Sequence, residues 1–585
     1  MSGIRLRALL VFLGFSGAMT MLSARLVQIQ LFEHEKFREI AIRRQYERIP
    51  VAPRRGTILD ANHRVMAQTL VVHDLRVDGQ LAYEDPASIL RLCETLGLDP
   101  KEVWARLTPA NRYTLLIPDL NEEHSAAVAA LKLRPVRLIP RMRRAYPQTY
   151  QASHVVGWVN RSEVVTDIDG KTIEIETGAG GMERVMESYL RGVPGERRVI
   201  KDATRRSIPA FETDIPARPG YNVVLTLDTG IQHIVEQEAS RLWEEFRPEA
   251  LHIIVLRPGT GEILALCNRP TFDPNVRETM TPSNLRNGAI MDSYEPGSTF
   301  KLFTAAAVLN ERMADLNTPV FCENGKFFYA GHTLNDVSAH GMLTVSEALA
   351  KSSNIAFAKL ALVLGPERLY RYLRLFGFGE NTQPTGLALA GEERGILRPA
   401  DRWSNVSITR VPIGYEVAAT NLQLTLAVGA IANGGNLMEP RLVKAIMDGE
   451  GRVIKQFLPR VVRPVIDRDT AWRLRQAMRQ AVSNDGTAAK ASVPGFTVGG
   501  KTGTARKWIN GKYSTKEFRS SFIGFLPATA PEIVVSILVD EPKGQTYYGG
   551  SVAAPAFRTI GSKVAAHLGL KPDEARATLA QGGHP

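Results

Sequence analysis

Cysteine is scarce in this sequence, and its few occurrences follow no recognisable spacing. The chain of 585 residues contains three, Cys93, Cys267 and Cys322, which are far apart. A disulfide framework needs a dense, even set of cysteines and a zinc site needs closely spaced pairs, so neither is predicted. One pair can still oxidise outside the cytoplasm, but we favour three small, buried, hydrophobic side chains.

Internal repeats, long low-complexity tracts and nucleic-acid signatures are also missing. The formal net charge is +12 and the isoelectric point is near 9.5, which is compatible with nucleic acid, anionic lipid or an anionic wall polymer as a neighbour. No basic run is interleaved with aromatic residues, so nucleic acid is the weakest of the three. The length exceeds what one hydrophobic core organises, and we expect at least two domains.

One long apolar run does occur, close to the N-terminus. Ala8 to Ala24 carries no charge and has a length at the short end of a membrane span, and Leu26 to Leu31 can extend the helix. A cleaved signal peptide is the alternative, but Ala18-Met19-Thr20 is a poor cleavage site, so we expect an uncleaved anchor over residues 8–25. Basic residues lie on both sides of the run, and their count leaves its orientation open.

The centre of the sequence places a serine at the start of a predicted helix. Pro296-Gly297 breaks the chain before Ser298, and the Ala- and Leu-rich residues after Lys301 predict a buried helix. Residues three apart share a helix face, so a desolvated, neutral Lys301 can take the proton of the Ser298 hydroxyl. For this short motif alone, however, an ordinary polar helix start with a solvated lysine is the favoured interpretation, because Ser-x-x-Lys also occurs by chance.

A second motif follows the first along the chain. Ser352-Ser353-Asn354 connects two predicted helices, the first opened by a capping box at Thr344. In such a connection a hydroxyl can relay a proton, and an amide can hold both a lysine and a substrate peptide group. Simple helix capping by Ser353-Asn354 is the alternative, and the two roles are compatible.

A third motif lies in the glycine-rich stretch that begins at Gly499. Glycines let a substrate backbone approach a strand edge, and Gly503 removes a side chain from that approach. Lys501 adds a positive charge, and Thr502 and Thr504 add hydroxyl groups that can bind a carboxylate. A glycine-rich turn with a solvated lysine is the alternative for this motif alone.

Strand and helix patterns around these motifs predict an α+β domain. His252 to Leu256 and Ile263 to Cys267 are apolar strands joined by a turn, and Phe522 to Leu526 and Ile533 to Asp540 form a similar pair near the C-terminus. Strands at both ends with helices between them predict an antiparallel sheet flanked by helices. Leu70 to about Gly220 contains no catalytic constellation, and we interpret it as a non-catalytic spacer or docking module.

The three motifs occur in an order, and each in a structural context, that resemble those of penicillin-binding proteins and class A β-lactamases. The whole chain resembles a class B penicillin-binding protein, a membrane-anchored D,D-transpeptidase of bacterial cell-wall synthesis, most specifically over roughly its last two-thirds. The other segments that carry the resemblance are Arg55-Gly56 with Ile58 and Asp60, Gly181-Met182-Glu183, Gly192 with Gly195, Arg286-Asn287, Glu295-Pro296-Gly297, Ile413-Gly414-Tyr415, Thr420-Asn421-Leu422-Gln423, Ala432-Asn433-Gly434-Gly435 and Gly549 to Pro555.

Two positions depart from the family pattern. Glu416 follows Gly414-Tyr415 where the family often has a second glycine, which leaves the backbone geometry there open. His63 replaces the glycine that is usual in the turn after the anchor, which predicts an alternative turn conformation.

The resemblance implies a catalytic role for five side chains. Ser298 attacks the D-Ala-D-Ala carbonyl of a peptidoglycan stem peptide, D-Ala leaves, and an acyl-enzyme remains. Lys301 is the general base, Ser352 relays the proton to the leaving amine with Lys501 near it, and Asn354 orients Lys301 and the substrate amide. An amine from a neighbouring stem then resolves the acyl-enzyme into a cross-link.

The resemblance also implies how the substrate is bound. Lys501, Thr502 and Thr504 hold the terminal carboxylate, with Gly503 between the two threonines. Backbone N–H groups of Ser298 and Thr504 form the oxyanion hole. No metal or other cofactor is implied, and β-lactams are expected to acylate Ser298 because they resemble D-Ala-D-Ala.

The implied fold is α+β, with an N-terminal transmembrane helix, an elongated pedestal and a C-terminal transpeptidase domain like that of serine β-lactamases. Because the substrate lies outside the inner membrane, the catalytic domain is expected there. Implied partners are stem peptides, β-lactam inhibitors, a membrane-embedded glycan polymerase and divisome proteins. The expected ranges are a cytoplasmic tail over 1–7, the anchor over 8–25, a non-catalytic pedestal of the dimerisation type over 26–218, the transpeptidase domain over 219–572 and a C-terminal tail over 573–585.

Three alternatives remain open at this point. We favour a septal, division role over an elongation role, from the chain length and the stretch between Ile413 and Gly435. A class D-like β-lactamase or β-lactam sensor also has Ser-Thr-Phe-Lys, but Asn354 stands where that family typically has an apolar residue. A non-catalytic scaffold is disfavoured because all three motifs are intact.

Overall fold

The computed structural model describes residues 2–37, 46–165, 172–200, 213–382 and 389–574. The chain forms two compact units and passes between them more than once, so neither is one continuous segment. The domain ranges given above therefore remain predictions. The first unit comprises Met1–Arg54, Arg161–Ile175 and Gly192–Pro219, and the second comprises Arg55–Asn160, Glu176–Arg191 and Gly220–Pro585.

The described residues contain strands and α-helices in alternation. The strands are β1 (Tyr46–Val51), β2 (Ile58–Leu59), β3 (Val65–Val77), β4 (Thr114–Leu120), β5 (Val136–Ala145), β6 (Val159–Val165), β7 (Thr172–Gly178), β8 (Gly195–Ile200), β9 (Thr213–Ile215), β10 (Asn222–Leu225), β11 (Ala250–Arg257), β12 (Glu262–Arg269), β13 (Pro319–Phe321), β14 (Lys326–Tyr329), β15 (His332–Asn335), β16 (Met342–Thr344), β17 (Asn436–Met438), β18 (Val443–Met447), β19 (Val453–Gln456), β20 (Val461–Pro464), β21 (Gly499–Ile509), β22 (Lys512–Leu526) and β23 (Ile533–Asp540).

The α-helices vary widely in length, from a single turn to the long N-terminal one. They are α1 (Ser2–Val27), α2 (Gly79–Glu84), α3 (Pro86–Leu96), α4 (Pro100–Arg106), α5 (Glu122–Ala130), α6 (Ser153–Val156), α7 (Gly181–Val185), α8 (Glu187–Leu190), α9 (Thr229–Phe246), α10 (Gly288–Met291), α11 (Lys301–Asn310), α12 (Val345–Ala350), α13 (Asn354–Leu364), α14 (Pro366–Leu375), α15 (Ser407–Arg410), α16 (Asn421–Ala432), α17 (Arg468–Gln480) and α18 (Gly549–His567).

The N-terminal apolar run is helical, as predicted, and longer than the run itself. Helix α1 begins at Ser2 and continues after Val27 as a π-helical turn over Gln28–Phe32. The stretch Gly3–Phe32 is apolar and long enough to cross a membrane, and it is not buried within the protein. The expected extension through Leu31 is therefore confirmed. In the same unit, β1, β8 and β9 form a three-stranded antiparallel sheet.

Part of the predicted spacer belongs to the second unit and contributes β3, β4 and β5 to a seven-stranded sheet there, whose other strands come from before and after the spacer in the sequence. The strand order is β19-β18-β10-β2-β3-β4, and β5 pairs along β3. Helices α2 to α5 cover this end of the sheet, and Leu75, Leu92 and Leu116 lie in the core between them. No residue of the predicted catalytic set lies in this region, and its non-catalytic role stays a prediction.

The five-stranded sheet of order β12-β11-β23-β22-β21 is the centre of the second unit, and all its pairs are antiparallel. Side chains alternate across it: Ile253 and Val255 join a core with α9 and α18, whereas Ile254 and Leu256 join the core with α11 and α16. Helices therefore flank both faces, and the predicted α+β arrangement is confirmed. Strand β21 is the last strand, so one of its edges is open.

Two of the segments that resemble family signatures contact each other through a buried ion-pair network. Glu183 Oε2 accepts a hydrogen bond from Arg55 Nε at 2.7 Å, and its Oε1 accepts one from Arg144 Nε at 2.7 Å. All three side chains are buried. Paired charges of this kind are costly to break singly, because the remaining charge would be left without a partner.

The turn after the anchor corrects one expectation. His63 itself adopts the left-handed conformation, with φ of +63°, so it takes the glycine-like geometry and does not force an alternative turn. Asp60 stabilises the turn, since its Oδ1 accepts from the N–H groups of Asn62 and Arg64 at 2.8 Å. Its Oδ2 accepts from the Thr229 hydroxyl at 2.7 Å, which joins the turn to α9.

The three cysteines are free and buried, as predicted. Asp573, the first residue of the expected C-terminal tail, is buried and accepts hydrogen bonds from Thr497 N at 2.7 Å and Thr529 Oγ1 at 2.5 Å. Residues 575–585 of that tail lie outside the described residues, and the boundary of the tail stays a prediction.

Candidate active site

The segment that carries Ser298 is a short 3-10 turn, Gly297–Phe300, which leads directly into α11. Gly297 has φ of +59°, and its N–H donates to Gly414 O at 3.2 Å. A Cβ on Gly414 would lie 2.2 Å from Gly297 O. Only glycine at position 414 lets the Ile413 to Glu416 loop pack this closely against the serine segment.

The departure at Glu416 is also resolved by the structure. Glu416 adopts the left-handed conformation, with φ of +60°, and its carboxylate accepts from Ser407 Oγ at 2.6 Å. Its N–H donates to Glu295 Oε1 at 2.9 Å, and Tyr513 OH donates to the same oxygen at 3.0 Å. Burial raises the pKa of Glu295, the residue that precedes Pro296.

Lys301 is buried and surrounded by the first two motifs. Its Nζ lies 3.0 Å from Ser298 Oγ, 2.7 Å from Asn354 Oδ1, 3.1 Å from Ser352 Oγ and 2.6 Å from Ser352 O. Burial, and secondly the charge of Lys501, lower the pKa of Lys301 well below its ordinary value, against the opposite effect of Asp336. The neutral amine that a general base requires is therefore favoured here.

In the loop of the second motif, Ser353 caps a helix, whereas Ser352 and Asn354 face the buried lysines. Ser353 is the N-cap of α13, and its Oγ accepts from Ala356 N at 3.1 Å, so the predicted capping is confirmed. Ser352 adopts the left-handed conformation, with φ of +59°, which directs its hydroxyl to both catalytic lysines. Asn354 is the first helical residue, and its Nδ2 donates to Asn335 O at 2.8 Å, which leaves Oδ1 to face Lys301.

Asp336 supports this loop and was missed by the sequence analysis. Its Oδ2 accepts from Ser353 Oγ at 2.6 Å, and its Oδ1 accepts from the N–H groups of Asn354 and Ile355. A carboxylate at a helix N-terminus is stabilised by the free N–H groups and the helix dipole. Asp336 directly follows β15, 18 residues before Asn354 in the sequence, so no local pattern indicates the contact.

Lys501 approaches the same loop from strand β21. Its Nζ donates to Ser352 Oγ at 2.9 Å and to Thr502 O at 3.2 Å. Burial lowers the pKa of Lys501 to about 7. The sequence predicted a positive charge at this position, whereas the structure gives a lysine that titrates close to neutral pH.

The remaining residues of the third motif differ in where they point. Thr502 Oγ1 donates to Thr487 Oγ1 at 3.2 Å, and Thr504 Oγ1 accepts from Gly549 N at 3.0 Å, which leaves the Thr504 hydroxyl proton free to donate. A Cβ on Gly503 would lie 2.3 Å from Ser521 Oγ and 3.0 Å from Pro296 O. Gly503 therefore makes room for the protein's own serine segment, and its predicted role in admitting a substrate backbone stays a prediction.

A cleft of about 460 Å³ opens in front of these groups. Ser298, Ser352, Thr502 and Thr504 line it together, so residues from all three motifs meet at one surface. Within the described part of the chain, no cluster of His, Cys, Asp or Glu is arranged to hold a metal ion. Sequence reasoning assigned no site role to the other residues that line the cleft, which are Val337, Ser338, Lys351, Gly486, Thr487, Ala489, Lys490, Tyr548, Gly550 and Ser551.

The arrangement is suited to nucleophilic acyl transfer. A hydroxyl group lies at hydrogen-bond distance from an amine whose pKa is lowered, and a second hydroxyl connects that amine to another lysine. Lys301 hydrogen-bonds both Ser298 and Ser352, which preorganises the three side chains before a substrate binds.

Comparison with known protein families covers most of the chain. Residues 251–562 match the penicillin-binding protein transpeptidase domain, and residues 50–225 match the penicillin-binding protein dimerisation domain. Stage V sporulation protein D of Bacillus subtilis is 32% identical over 98% of this chain and 87% of its own length. The peptidoglycan D,D-transpeptidase FtsI of Escherichia coli is 28% identical over 89% of this chain and 85% of its own length.

Solved structures share the fold. Penicillin-binding protein 2X of Streptococcus thermophilus aligns with a TM-score of 0.76 and 23% identity, covering 89% of this chain and 80% of that one. Penicillin-binding protein 3 of Mycobacterium tuberculosis, in complex with aztreonam, aligns with a TM-score of 0.67 and 26% identity, covering 90% of this chain and 98% of that one. Both domains match penicillin-binding protein families, and a relative that is 32% identical spans nearly the whole chain. This protein therefore belongs to the class B penicillin-binding proteins, the membrane-anchored D,D-transpeptidases.

Proposed function

We propose that this protein cross-links peptidoglycan stem peptides through an acyl-enzyme on Ser298. The observation that carries the proposal is the contact between Ser298 Oγ and the buried Lys301 Nζ, at 3.0 Å. The lowered pKa of Lys301 favours the neutral amine, which can remove the hydroxyl proton as Ser298 attacks the D-Ala-D-Ala carbonyl.

The relay step uses the position of Ser352. Its hydroxyl oxygen lies 3.1 Å from Lys301 Nζ and 2.9 Å from Lys501 Nζ. We assign it the transfer of the proton to the amine of the leaving D-Ala. Asn354 keeps Lys301 in place through Oδ1 and has a second amide proton for the substrate, because only one is used by Asn335 O.

Substrate binding is assigned to the open edge of the five-stranded sheet. Alternate N–H groups of a last strand are not used by its neighbour, so β21 can present the Thr504 N–H to a developing oxyanion together with the Ser298 N–H. The hydroxyls of Thr502 and Thr504 and the ammonium of Lys501 are assigned to the terminal carboxylate. Gly503 supports these groups indirectly, by admitting the serine segment.

The second half-reaction decides between a transpeptidase and a hydrolase. We propose that an amine of a neighbouring stem resolves the acyl-enzyme, so a penicillin adduct on the protein is long-lived. The test is to follow deacylation of the penicilloyl-protein, and to incubate it with a D-Ala-D-Ala peptide and an acceptor amine. A stable adduct and an amide-linked product support the proposal, whereas rapid penicillin turnover with hydrolysis only would contradict it.

The cellular role is proposed at a finer level than the family membership. We propose that the apolar N-terminal helix is a single membrane anchor and that the catalytic domain lies on the outer side of the inner membrane, where the stem peptides are. We further propose a septal role with a membrane-embedded glycan polymerase and divisome proteins as partners. The septal role requires a fluorescent fusion to collect at division sites, and uniform labelling of the side wall would instead favour elongation.

The polymerase partner has its own test. We expect it to contact both the anchor and the pedestal. The detergent-solubilised protein should lose binding to such a polymerase when the span is replaced by an unrelated apolar helix or when the pedestal is removed. Equal binding and activation after both changes would reject this partnership without affecting the proposed chemistry.

A further inference from the structure

The cleft contains two lysines that the acyl-transfer steps do not use. Lys351 directly precedes Ser352, and Lys490 lies in the 3-10 turn Ala489–Ala491. Both line the same cleft as Ser298, and both are exposed to solvent. Unlike Lys301 and Lys501, they are therefore accessible to a bound molecule as ordinary ammonium groups.

The two lysines lie on one wall of the cleft, formed by the end of α12 and the segment Gly486 to Lys490, and this wall contacts the elements that carry the site residues. Thr487 N donates to Ala350 O at 3.3 Å, which joins the segment before Lys490 to the end of α12. Thr487 Oγ1 accepts from Thr502 Oγ1, and a Cβ on Gly550 would lie 2.4 Å from Thr487 O. The segment is thus packed against β21 and α18, next to the threonine assigned to the terminal carboxylate.

The charge of the two lysines is not neutralised by an ion pair. Among the described residues that line the cleft, none is an aspartate or a glutamate, and neither Lys351 nor Lys490 forms a salt bridge in that part of the chain. Glu347, one helical turn before Lys351, interacts with it electrostatically, but its carboxylate accepts its hydrogen bonds from Thr344 N at 2.8 Å and Thr344 Oγ1 at 2.9 Å. An anion that enters the cleft therefore meets two exposed ammonium groups.

We propose that Lys351 and Lys490 form a subsite for a second substrate carboxylate, distinct from the carboxylate of the terminal D-Ala. This inference rests on the proposed function and specifies its substrate class: stem peptides that keep a free carboxylate elsewhere. Ammonium groups bind carboxylates by charge-assisted hydrogen bonds, and a carboxamide at the same place gains much less. The carboxylate belongs either to the donor stem or to the acceptor residue beside the attacking amine.

The experiment compares free and amidated peptides on the full-length, detergent-solubilised protein. In the donor arm, D-Ala-D-Ala peptides with a second carboxylate or a carboxamide compete with fluorescent penicillin. In the acceptor arm, a preformed acyl-enzyme is aminolysed by diamino acids with a free or an amidated carboxylate. The wild type is expected to prefer the carboxylate by about tenfold in one arm, which identifies the source, and high salt should weaken that preference.

The variants connect this preference to the two lysines. The double variant K351Q/K490Q is expected to lose the preference for the free carboxylate, whereas K351R/K490R should keep it. Lys563→Gln, on the exposed side of α18, is the control and should leave the preference unchanged. Penicillin labelling within about twofold of wild type shows that a variant is folded. If K351Q/K490Q is not folded, the carboxylate preference of K351R/K490R decides the question. No carboxylate preference in either wild-type arm, or full preference in K351Q/K490Q, overturns the subsite. A wild type that penicillin does not label overturns the proposed function instead.

Discussion

The Nζ atoms of Lys301 and Lys501 both lie within hydrogen-bond distance of one hydroxyl oxygen, Ser352 Oγ, at 3.1 and 2.9 Å. Both lysines are buried, and both have a lowered pKa. Two ammonium groups so close together in an apolar environment repel each other, so the structure favours a state in which they do not both carry a charge. This shared environment supports the proposal that Lys301 acts as the base.

Replacing Lys301 by methionine should abolish most of the reaction and leave the fold intact. Methionine fills a similar volume, so the core stays packed. The substitution also removes an amine that is costly to bury, so the free energy of unfolding should change little. We expect acylation by penicillin to fall by roughly two to four orders of magnitude, the usual contribution of a general base. The measurement is the second-order rate constant of acylation, with Lys563→Met as the control. A variant that retains more than about a tenth of the rate would argue against Lys301 as the base.

The pH dependence of acylation should be bell-shaped. As the pH falls, Lys301 gains a proton and can no longer accept one, so the rate falls. Because the pKa of Lys301 lies well below 10.5, this loss of rate is expected on the acid side of the profile. As the pH rises through about 7, Lys501 loses its proton and with it the charge assigned to the substrate carboxylate. The rate constant of the free protein with penicillin reports both groups.

Two observations check this assignment. In Lys501→Gln the basic limb should disappear, although the overall rate is lower. A wild-type rate that climbs steadily until about pH 10 would show that Lys301 titrates like an exposed lysine, and that the lowered pKa does not operate in solution.

Asp336 is expected to affect both stability and rate, because it caps α13 and thereby positions Asn354. Asp336→Ala removes the acceptor of the Asn354 and Ile355 N–H groups and should cost about 0.5–2 kcal/mol of stability, as lost N-caps do. We expect acylation to slow by about tenfold, measured beside thermal unfolding, with the exposed Asp401→Ala as the control. Lower stability with an unchanged rate would reduce Asp336 to a helix cap alone.

Gly503→Ala should displace the serine segment. The new methyl group would lie 2.3 Å from Ser521 Oγ and 3.0 Å from Pro296 O, closer than atoms pack. A shift of this size at the nucleophile can lower the acylation rate by about a hundredfold. Gly259→Ala is the matched control, because a Cβ there meets nothing within 4 Å. If Gly503→Ala reacted with penicillin at the wild-type rate, the packing role of Gly503 would be wrong.

Much of the site could be predicted because each of its three motifs is short and local in sequence. Ser298 and Lys301 are one helical turn apart, and the capping box at Thr344 forms as the pattern indicates. The antiparallel sheet likewise follows from the two strand pairs at the ends of the domain. In each case a local pattern and its turn chemistry decide the structure.

Other features depend on contacts that a single sequence does not reveal. Asp336 reaches Asn354 only through the tertiary fold, and the burial of Lys501 likewise arises only in the folded protein, so its pKa of about 7 could not be read from its motif. His63 and Glu416 adopt left-handed conformations that non-glycine residues rarely take, which their neighbours' hydrogen bonds stabilise. At such positions the contacts of the surrounding structure outweigh the local conformational preference of the residue.

The most direct test of the account is to locate the covalent adduct. The intact protein is treated with penicillin and digested, and the modified peptide is identified by mass spectrometry, with Ser298→Ala and the neighbouring Ser353→Ala treated in parallel. We predict one adduct, on Ser298, that is absent from Ser298→Ala and present in Ser353→Ala. An adduct on another residue, or undiminished labelling of Ser298→Ala, would contradict the assignment of the nucleophile and the mechanism built on it.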